Sequence, residues 1–284
     1  VSDPIHPAAF ILVEPEADAS STPLQANGNP RPFLELRGIS KSFAQGKQQL
    51  QVMENISLTV HEGEFVSVIG PSGSGKSTLL QMIGGVMLPD QGDIILQNQR
   101  INGLQGKAGY MPQQPALLPW RTIEKNVILA RETAGMPRQE SLALARNWLD
   151  KVGLGGFARA YPRTLSGGMQ QRVAFLRALL GPQSLLCLDE PFSALDAFTR
   201  SEMQAWLLRI WEENRRSVVF ITHHIEEALL LSDTIYVLSS RPAHVIQKVP
   251  VPFPRPRREE LVDTPEFIAL RRQLTEALRA ELNG

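Results

Sequence analysis

From residue 33 onward the chain repeats one arrangement: a short apolar run that ends in a polar turn, then a stretch with helical spacing. Phe33-Leu34-Glu35-Leu36 and Ile56-Ser57-Leu58-Thr59-Val60 alternate apolar and polar positions, which predicts strands with one buried face. Phe65-Val66-Ser67-Val68-Ile69 is apolar almost throughout and runs into a glycine loop, so it predicts a strand covered on both sides. Leu185 to Leu188, Val218 to Ile221 and Ile235 to Leu238 read the same way. Between these runs, Thr78 to Met82 predicts a helix leaving the glycine loop. Glu140 to Val152 carries Leu142, Leu144, Ala145, Trp148 and Leu149 at helical spacing, and Met203 to Trp211 continues a further helix. Buried strands alternating with helices predict an α/β fold with a mostly parallel sheet.

The ends of the chain differ from this middle. Pro4, Pro7, Pro15, Pro23, Asn27, Gly28 and Pro30 break any period, and predict a disordered extension over residues 1–31. At the other end, Pro250 to Arg258 is rich in Pro and Arg and leads into a short helix. Thr264 suits its N-cap and Pro265 its first turn, with Phe267, Leu270, Leu274 and Leu278 on one stripe.

Composition narrows the function. Lys plus Arg and Asp plus Glu are both 29, so bulk charge gives no reason to expect a nucleic-acid partner. The single cysteine, Cys187, cannot form an intrachain disulfide and sits in an apolar run, as a small buried hydrophobe would. No stretch reaches the roughly 18–20 apolar residues that span a bilayer, so work at a membrane would require docking onto another chain. The early run Ala8 to Val13 lacks the basic flank of a secretory signal.

Candidate chemistry begins at Gly70-Pro71-Ser72-Gly73-Ser74-Gly75-Lys76-Ser77, a G-x-x-x-x-G-K-[ST] loop between a predicted strand and a predicted helix. Gly73 and Gly75 permit close backbone approach, and the amides from Gly73 to Thr78 can point at a β-phosphate. Lys76 would reach the β- and γ-phosphates, and the Ser77 hydroxyl would ligate Mg²⁺. Leu185-Leu186-Cys187-Leu188-Asp189-Glu190 is a buried strand ending in two acids, at the edge where open α/β sheets place ligands. Asp189 there would hold Mg²⁺ through water, and Glu190 would polarise an attacking water. A second glycine-rich helix start, Leu165-Ser166-Gly167-Gly168-Met169-Gln170-Gln171-Arg172, forms another anion-binding N-terminus. One nucleotide seldom needs two phosphate cradles from one chain.

With these motifs in this order, residues 33 to about 245 resemble the ATP-binding cassette (ABC) transporter ATPases. The resemblance implies a P-loop NTPase core with a mostly parallel sheet, an antiparallel β subdomain and an inserted α-helical subdomain at about 114–165. The ATPase domain would run over 32–250 and a tail over 251–284. It gives Phe43 the role of stacking on adenine. Gln113, in Met111-Pro112-Gln113-Gln114, would be the glutamine that senses Mg²⁺ and the membrane partner. Ser166, Gly167 and Gly168 would belong to the signature motif, Asp196 to the D-loop Ser193-Ala194-Leu195-Asp196, and His223 would be the switch histidine on the γ-phosphate. It also implies a head-to-tail dimer with a second copy, or a close homologue, in which Ser166 and Gly168 close over ATP held by Lys76 of the other chain.

One position departs from the pattern. The family often has an acid after the switch histidine, and this chain has His224, which leaves open which of the two rings faces the phosphate. Leu117-Leu118-Pro119-Trp120, Asp189 to Arg200, Ser239-Ser240-Arg241-Pro242 and Pro254-Arg255-Pro256-Arg257 look like the nitrate, sulfonate and taurine importer branch and the thiamine-precursor importers. That likeness implies transmembrane permease subunits, an extracytoplasmic solute-binding protein, and a peripheral position on the cytoplasmic face. The competing readings are a soluble ABC-type ATPase acting on nucleic acid or the ribosome, a nucleotide-binding module without catalysis, and a small-molecule kinase.

Overall fold

The structure is a computed structural model that describes residues 32–46 and 48–283; the extension predicted over 1–31 lies outside the described residues. In chain order the elements are β1 (Leu34–Gln45), β2 (Gln48–Val60), β3 (Phe65–Ile69), α1 (Lys76–Ile83), β4 (Gln91–Leu96), β5 (Gln99–Arg100) and β6 (Ala108–Met111). Then come α2 (Ile123–Val127), α3 (Leu129–Thr133), α4 (Arg138–Lys151), α5 (Gly167–Leu179), β7 (Leu185–Asp189), α6 (Ala197–Asn214) and β8 (Ser217–Ile221). The chain closes with α7 (Ile225–Leu231), β9 (Thr234–Leu238), β10 (Val245–Pro250) and α8 (Pro265–Asn283).

Two sheets result. The larger runs β10-β9-β3-β8-β7-β6 and the smaller β2-β1-β4-β5. In the larger sheet β9, β3, β8, β7 and β6 are parallel, with β10 antiparallel at one edge. The smaller sheet is antiparallel throughout. Every position of β3, β7, β8 and β9 is buried, as expected for parallel strands covered on both faces.

Period-two alternation divides these strands between two cores. Leu186 and Leu188 of β7 join Phe65 and Phe220 in a core with the helices α4, α5 and α6. Leu185 and Cys187 turn the other way, onto α1 and the antiparallel sheet. Burial pushes the Cys187 thiol far up, so it stays protonated. Large aromatics lock the helical layer onto the first core: Trp148 meets Trp206 edge-on at 5.6 Å, and Phe175 lies 5.4 Å from the same ring.

Between β6 and α5 the chain leaves the sheet as a helical segment. Its turn at 118–122 is organised by one fully buried amide. Asn126 Oδ1 accepts from the Leu118 amide at 2.7 Å, and Nδ2 donates to the Leu118, Arg121 and Thr122 carbonyls at 3.1 Å each. A buried side chain with its donors and acceptor all engaged rigidifies what it holds. Trp120, on that turn, is 73% exposed.

The predicted elements differ from the observed ones at several places. The helix expected from Thr78 starts at Lys76, because the loop glycines already set its first turn. Strands β4, β6 and β10 are absent from the sequence reading; they are short or mixed in character, and pairing with neighbours creates them. The helix expected to be short at the C-terminus is instead 19 residues long. Its Phe267 and Leu274 are fully buried against Ile69, Val237 and Ala228, in a third core. The Pro/Arg run before it is an anchor. Arg255 pairs with Asp233 at 2.8 Å and lies 4.0 Å over the Trp211 ring. Arg257 donates to the carbonyls of Leu229, Leu230 and Ser232 at the end of α7.

Helix α8 is therefore part of the fold. Phe267→Ala is expected to destabilise the chain by about 3–5 kcal/mol in urea unfolding, and Ile268→Ala, on the half-exposed face, by less than about 1 kcal/mol. Equal, small effects at both positions would contradict the third core.

Candidate functional site

Four parallel strands deliver the site from their C-terminal ends. The loop Gly70 to Gly75 follows β3, Gln113 follows β6, Asp189 and Glu190 end β7, and His223 follows β8. Register keeps these ends level: Val68 and Asp189 both pair with Ile221, and Leu188 pairs with Met111. This is the edge at which open α/β sheets bind ligands.

The glycine loop takes its shape from positive φ angles of 80° at Gly73 and 89° at Gly75. A side chain at Gly75 would also strike Val52, 2.6 Å from its Cβ position. Within the loop, Gly70, Pro71 and Ser74 hold the lysine: Lys76 Nζ donates to the Gly70 carbonyl at 2.9 Å, to the Pro71 carbonyl at 2.8 Å and to the Ser74 hydroxyl at 3.4 Å. Burial lowers the pKa of this ammonium, while Glu190 and Asp189 act to raise it.

In front of the loop is a cavity of about 510 Å³, lined by Phe43, Leu50 and Val52 on one side and Ser72, Gly73, Gly75, Lys76, Ser77 and Thr78 on the other. Gln113, Glu190 and Arg241 complete the lining. An aromatic and two aliphatic side chains facing a row of amides and a cation suit a ligand with a flat apolar end and an anionic end.

Glu190 is the best-held group here. It sits at φ 46°, a strained left-handed conformation for a non-glycine residue. Gln113 Nε2 donates to Glu190 Oε2 at 3.0 Å, and His223 Nδ1 lies 3.2 Å from Oε1. Each oxygen thus has its own orienting partner, an arrangement suited to a base that polarises water. Asp189 stands behind it, 2% exposed, with Oδ1 accepting from the Ser77 hydroxyl at 3.1 Å. Burial raises the Asp189 carboxyl to about 6, Glu190 adds to the rise, and the Ser77 hydrogen bond and Lys76 oppose it.

The adjacent histidines have ring centroids 4.0 Å apart but meet different partners. His223 faces Glu190, whereas His224 Nε2 lies 3.3 Å from Arg200 Nη1 and borders a different cavity. Burial, then His223 and Arg200, lower the His224 pKa, which keeps that ring neutral next to a cation.

Ser166, Gly167, Gly168 and Asp196 do not line the Lys76 cavity. Ser166 is the N-cap of α5 and accepts from the Met169 amide at 3.4 Å. Asp196 caps α6, accepting from the Thr199 amide at 3.0 Å and hydroxyl at 2.7 Å, bonds that lower its pKa. Both helix starts are built, and both lie apart from the cavity within one chain.

Two further side chains tie these parts together, and the sequence assigned neither a role. Gln171 is buried; its Nε2 donates to the Glu190 carbonyl at 3.1 Å and its Oε1 accepts from the Ala194 amide at 3.0 Å. Arg177 donates to the carbonyls of Pro115 and Ala116 at 2.8 Å each. Helix α5 therefore supports both the turn at Glu190 and the segment after Gln113. A Gln one helical turn before the buried Phe175 was the available signal, since polar groups on a buried face need partners.

Comparison with known proteins places this geometry. The family described as ABC transporter matches residues 53–193. The aliphatic sulfonates import ATP-binding protein SsuB of Bacillus cereus is 42% identical over 229 residues, 80% of this chain and 90% of that protein. The formylaminopyrimidine import ATP-binding protein ThiZ of Halalkalibacterium halodurans is 45% identical over 215 residues, 76% of this chain and 84% of its own length. Among solved structures, a dimeric ATP-binding cassette in a post-hydrolysis state with ADP and phosphate superimposes with a TM-score of 0.70 at 32% identity, covering 78% of this chain and 99% of that one.

The buried Asp189 makes a testable demand. Its folded-state pKa of about 6 lies above the ordinary value of about 3.9, so the folded chain binds this proton more tightly than the unfolded chain. Its contribution to stability falls as pH rises from about 4 to about 6, and the penalty persists above that window. In urea unfolding without nucleotide or divalent cation, Asp189→Asn is expected to be more stable than the unaltered chain by about 3 kcal/mol near pH 8. The difference is expected to close toward pH 4. A variant of unchanged or lower stability near pH 8 would contradict the buried charge.

Proposed function

The chain belongs to the ABC transporter family, and from that premise we propose that it is the ATP-hydrolysing subunit of an importer, working as a head-to-tail dimer on permease subunits. ATP is its nucleotide and hydrolysis its reaction. The observation that carries the dimer is the division of the phosphate-binding parts. Lys76, Ser77 and Glu190 share one cavity, while the capped helix start at Ser166 to Gly168 stands outside it. A second copy, or a close homologue, laid head to tail would bring its Ser166 and Gly168 amides over the triphosphate, with its Asp196 beside the same pocket.

Within the pocket, Phe43 stacks on the adenine and the amides of Gly73 to Thr78 receive the phosphates. Glu190, oriented by Gln113 and His223, accepts the proton of the attacking water. Charge on the phosphoryl oxygens then grows against fixed donors in a site that dimer closure dries, where each contact is stronger than in water.

Ser77, Asp189 and Gln113 suit Mg²⁺: they offer oxygens, which a hard cation prefers, and the Ser77 and Asp189 oxygens already converge at 3.1 Å. Among the described residues there is no cluster of three or more His, Cys, Asp or Glu fit to hold a metal alone, consistent with an ion held mainly by phosphates and water. Bound there, Mg²⁺ would neutralise charge on the β- and γ-phosphates.

Among the described residues no helix is long and apolar enough to cross a membrane. This reading puts the chain peripherally on the cytoplasmic face. The exposed Trp120, on the turn fixed by Asn126 and close in sequence to Gln113, is the surface offered to the permease. The proposed cargo is a small solute of the nitrate, sulfonate or taurine type or related, delivered by an extracytoplasmic binding protein; the name of SsuB, an aliphatic sulfonates import protein, supports the sulfonate class.

Glu190→Gln is expected to reduce ATP turnover by about 10²–10⁴-fold and to accumulate an ATP-dependent dimer on size-exclusion chromatography. Turnover at the unaltered rate would remove Glu190 from the role of base.

A further inference from the structure

We propose that Arg241 is a further phosphate-binding residue of this nucleotide site, a cation supplied from outside the glycine loop. The inference rests on the ATPase reading above and extends it to a residue that the motifs do not include.

The turn that carries Arg241 joins β9 to β10 and is fixed from two sides. Behind it, the Ser240 hydroxyl donates to the Glu281 carbonyl and the Ser240 amide to Glu281 Oε2 at 3.3 Å, both in the last turns of α8. Beside it, the Ala243 amide donates to the Val52 carbonyl at 2.9 Å and the Glu54 amide to the Ala243 carbonyl at 2.9 Å. The turn is thereby pinned to β2, on the apolar side of the same cavity.

From this mount Arg241 reaches the glycine loop. Its Nε donates to the Gly73 carbonyl, and Nη2 lies 2.6 Å from the point a Cβ on Gly73 would occupy. The guanidinium lies against Gly73, in the loop that forms the proposed phosphate cradle. Absence of a side chain at Gly73 makes that approach possible, beyond the φ angle that the loop itself requires.

Only one donor is spent. Among the described residues, Arg241 has no carboxylate within ion-pair distance and makes no hydrogen bond besides that of Nε, so the four Nη hydrogens remain. The arginines of the tail, at the other end of β9, are engaged: Arg255 with Asp233, and Arg257 with four carbonyls. An unpaired guanidinium bordering the cavity that holds Lys76 matches a polyphosphate in charge and in bidentate geometry. A simple prop for the loop would need Nε alone, and a neutral donor such as a side-chain amide would serve.

The experiment uses the unaltered full chain and an arginine-specific dicarbonyl reagent, read by peptide mass. AMP-PNP and inorganic tripolyphosphate are expected to shield Arg241 from modification, and adenosine is expected to leave it reactive. In parallel, Arg241→Gln is expected to weaken AMP-PNP binding about tenfold and to flatten its dependence on salt. Arg241→Lys should recover part of the loss. Arg241 is exposed, so these replacements open no cavity, and the labelling result stands without them. Binding of AMP-PNP by the unaltered chain with Arg241 equally reactive throughout would overturn this inference alone. No binding of AMP-PNP by the unaltered chain would overturn the ATPase reading together with it.

Discussion

A triphosphate can be held only where donors converge in number and the protein's own carboxylates are kept under control, and that constraint organises this structure. Parallel strands of level register bring the glycine loop, Asp189, Glu190, Gln113 and His223 to one edge. Two carboxylates side by side at such an edge repel any phosphate. The fold resolves this by burying Asp189 against Ser77 and by turning Glu190 through a left-handed backbone angle onto Gln113 and His223. On the proposed reading, this leaves Asp189 to hold the cation and Glu190 to address the water.

The same constraint explains why the helix α5 matters beyond its cap. Its N-terminus offers amides to an anion that its own chain does not present there, while its body, through Gln171 and Arg177, braces the Glu190 turn and the segment after Gln113. On the proposed reading, a displacement of α5 by a partner would be passed to the Glu190 turn through these bonds. The contacts run through hydrogen bonds to backbone carbonyls, which leave little slack for independent motion.

Much of this was legible in the sequence, for physical reasons that differ by element. The buried strands and the glycine loop announce themselves because their chemistry is local: continuous apolar runs, and a loop that only glycine can close. Strands β4, β6 and β10 gave no such signal, since pairing with distant strands defines them. The tail helix was underestimated because the Pro/Arg run before it resembles a linker until Asp233, Trp211 and the carbonyls at the end of α7 are brought to it. The sequence pointed to His223 but left His224 open; the two rings lie 4.0 Å apart and are distinguished only by what each meets. Gln171 and Arg241 make their contacts across many residues of separation, so their local sequence does not say which groups they meet.

The central claim is that ATP is gripped by the lysine loop of one chain and the serine-glycine helix start of another. The most direct test mixes a Lys76→Ala chain with a chain in which Ser166 is replaced by Arg, each inactive by itself, and measures ATP hydrolysis. Complementation is expected, because a mixed dimer retains one pocket with an intact lysine loop and an intact opposing helix start. Activity that stays absent in a mixture shown to contain mixed dimers would contradict the shared pocket.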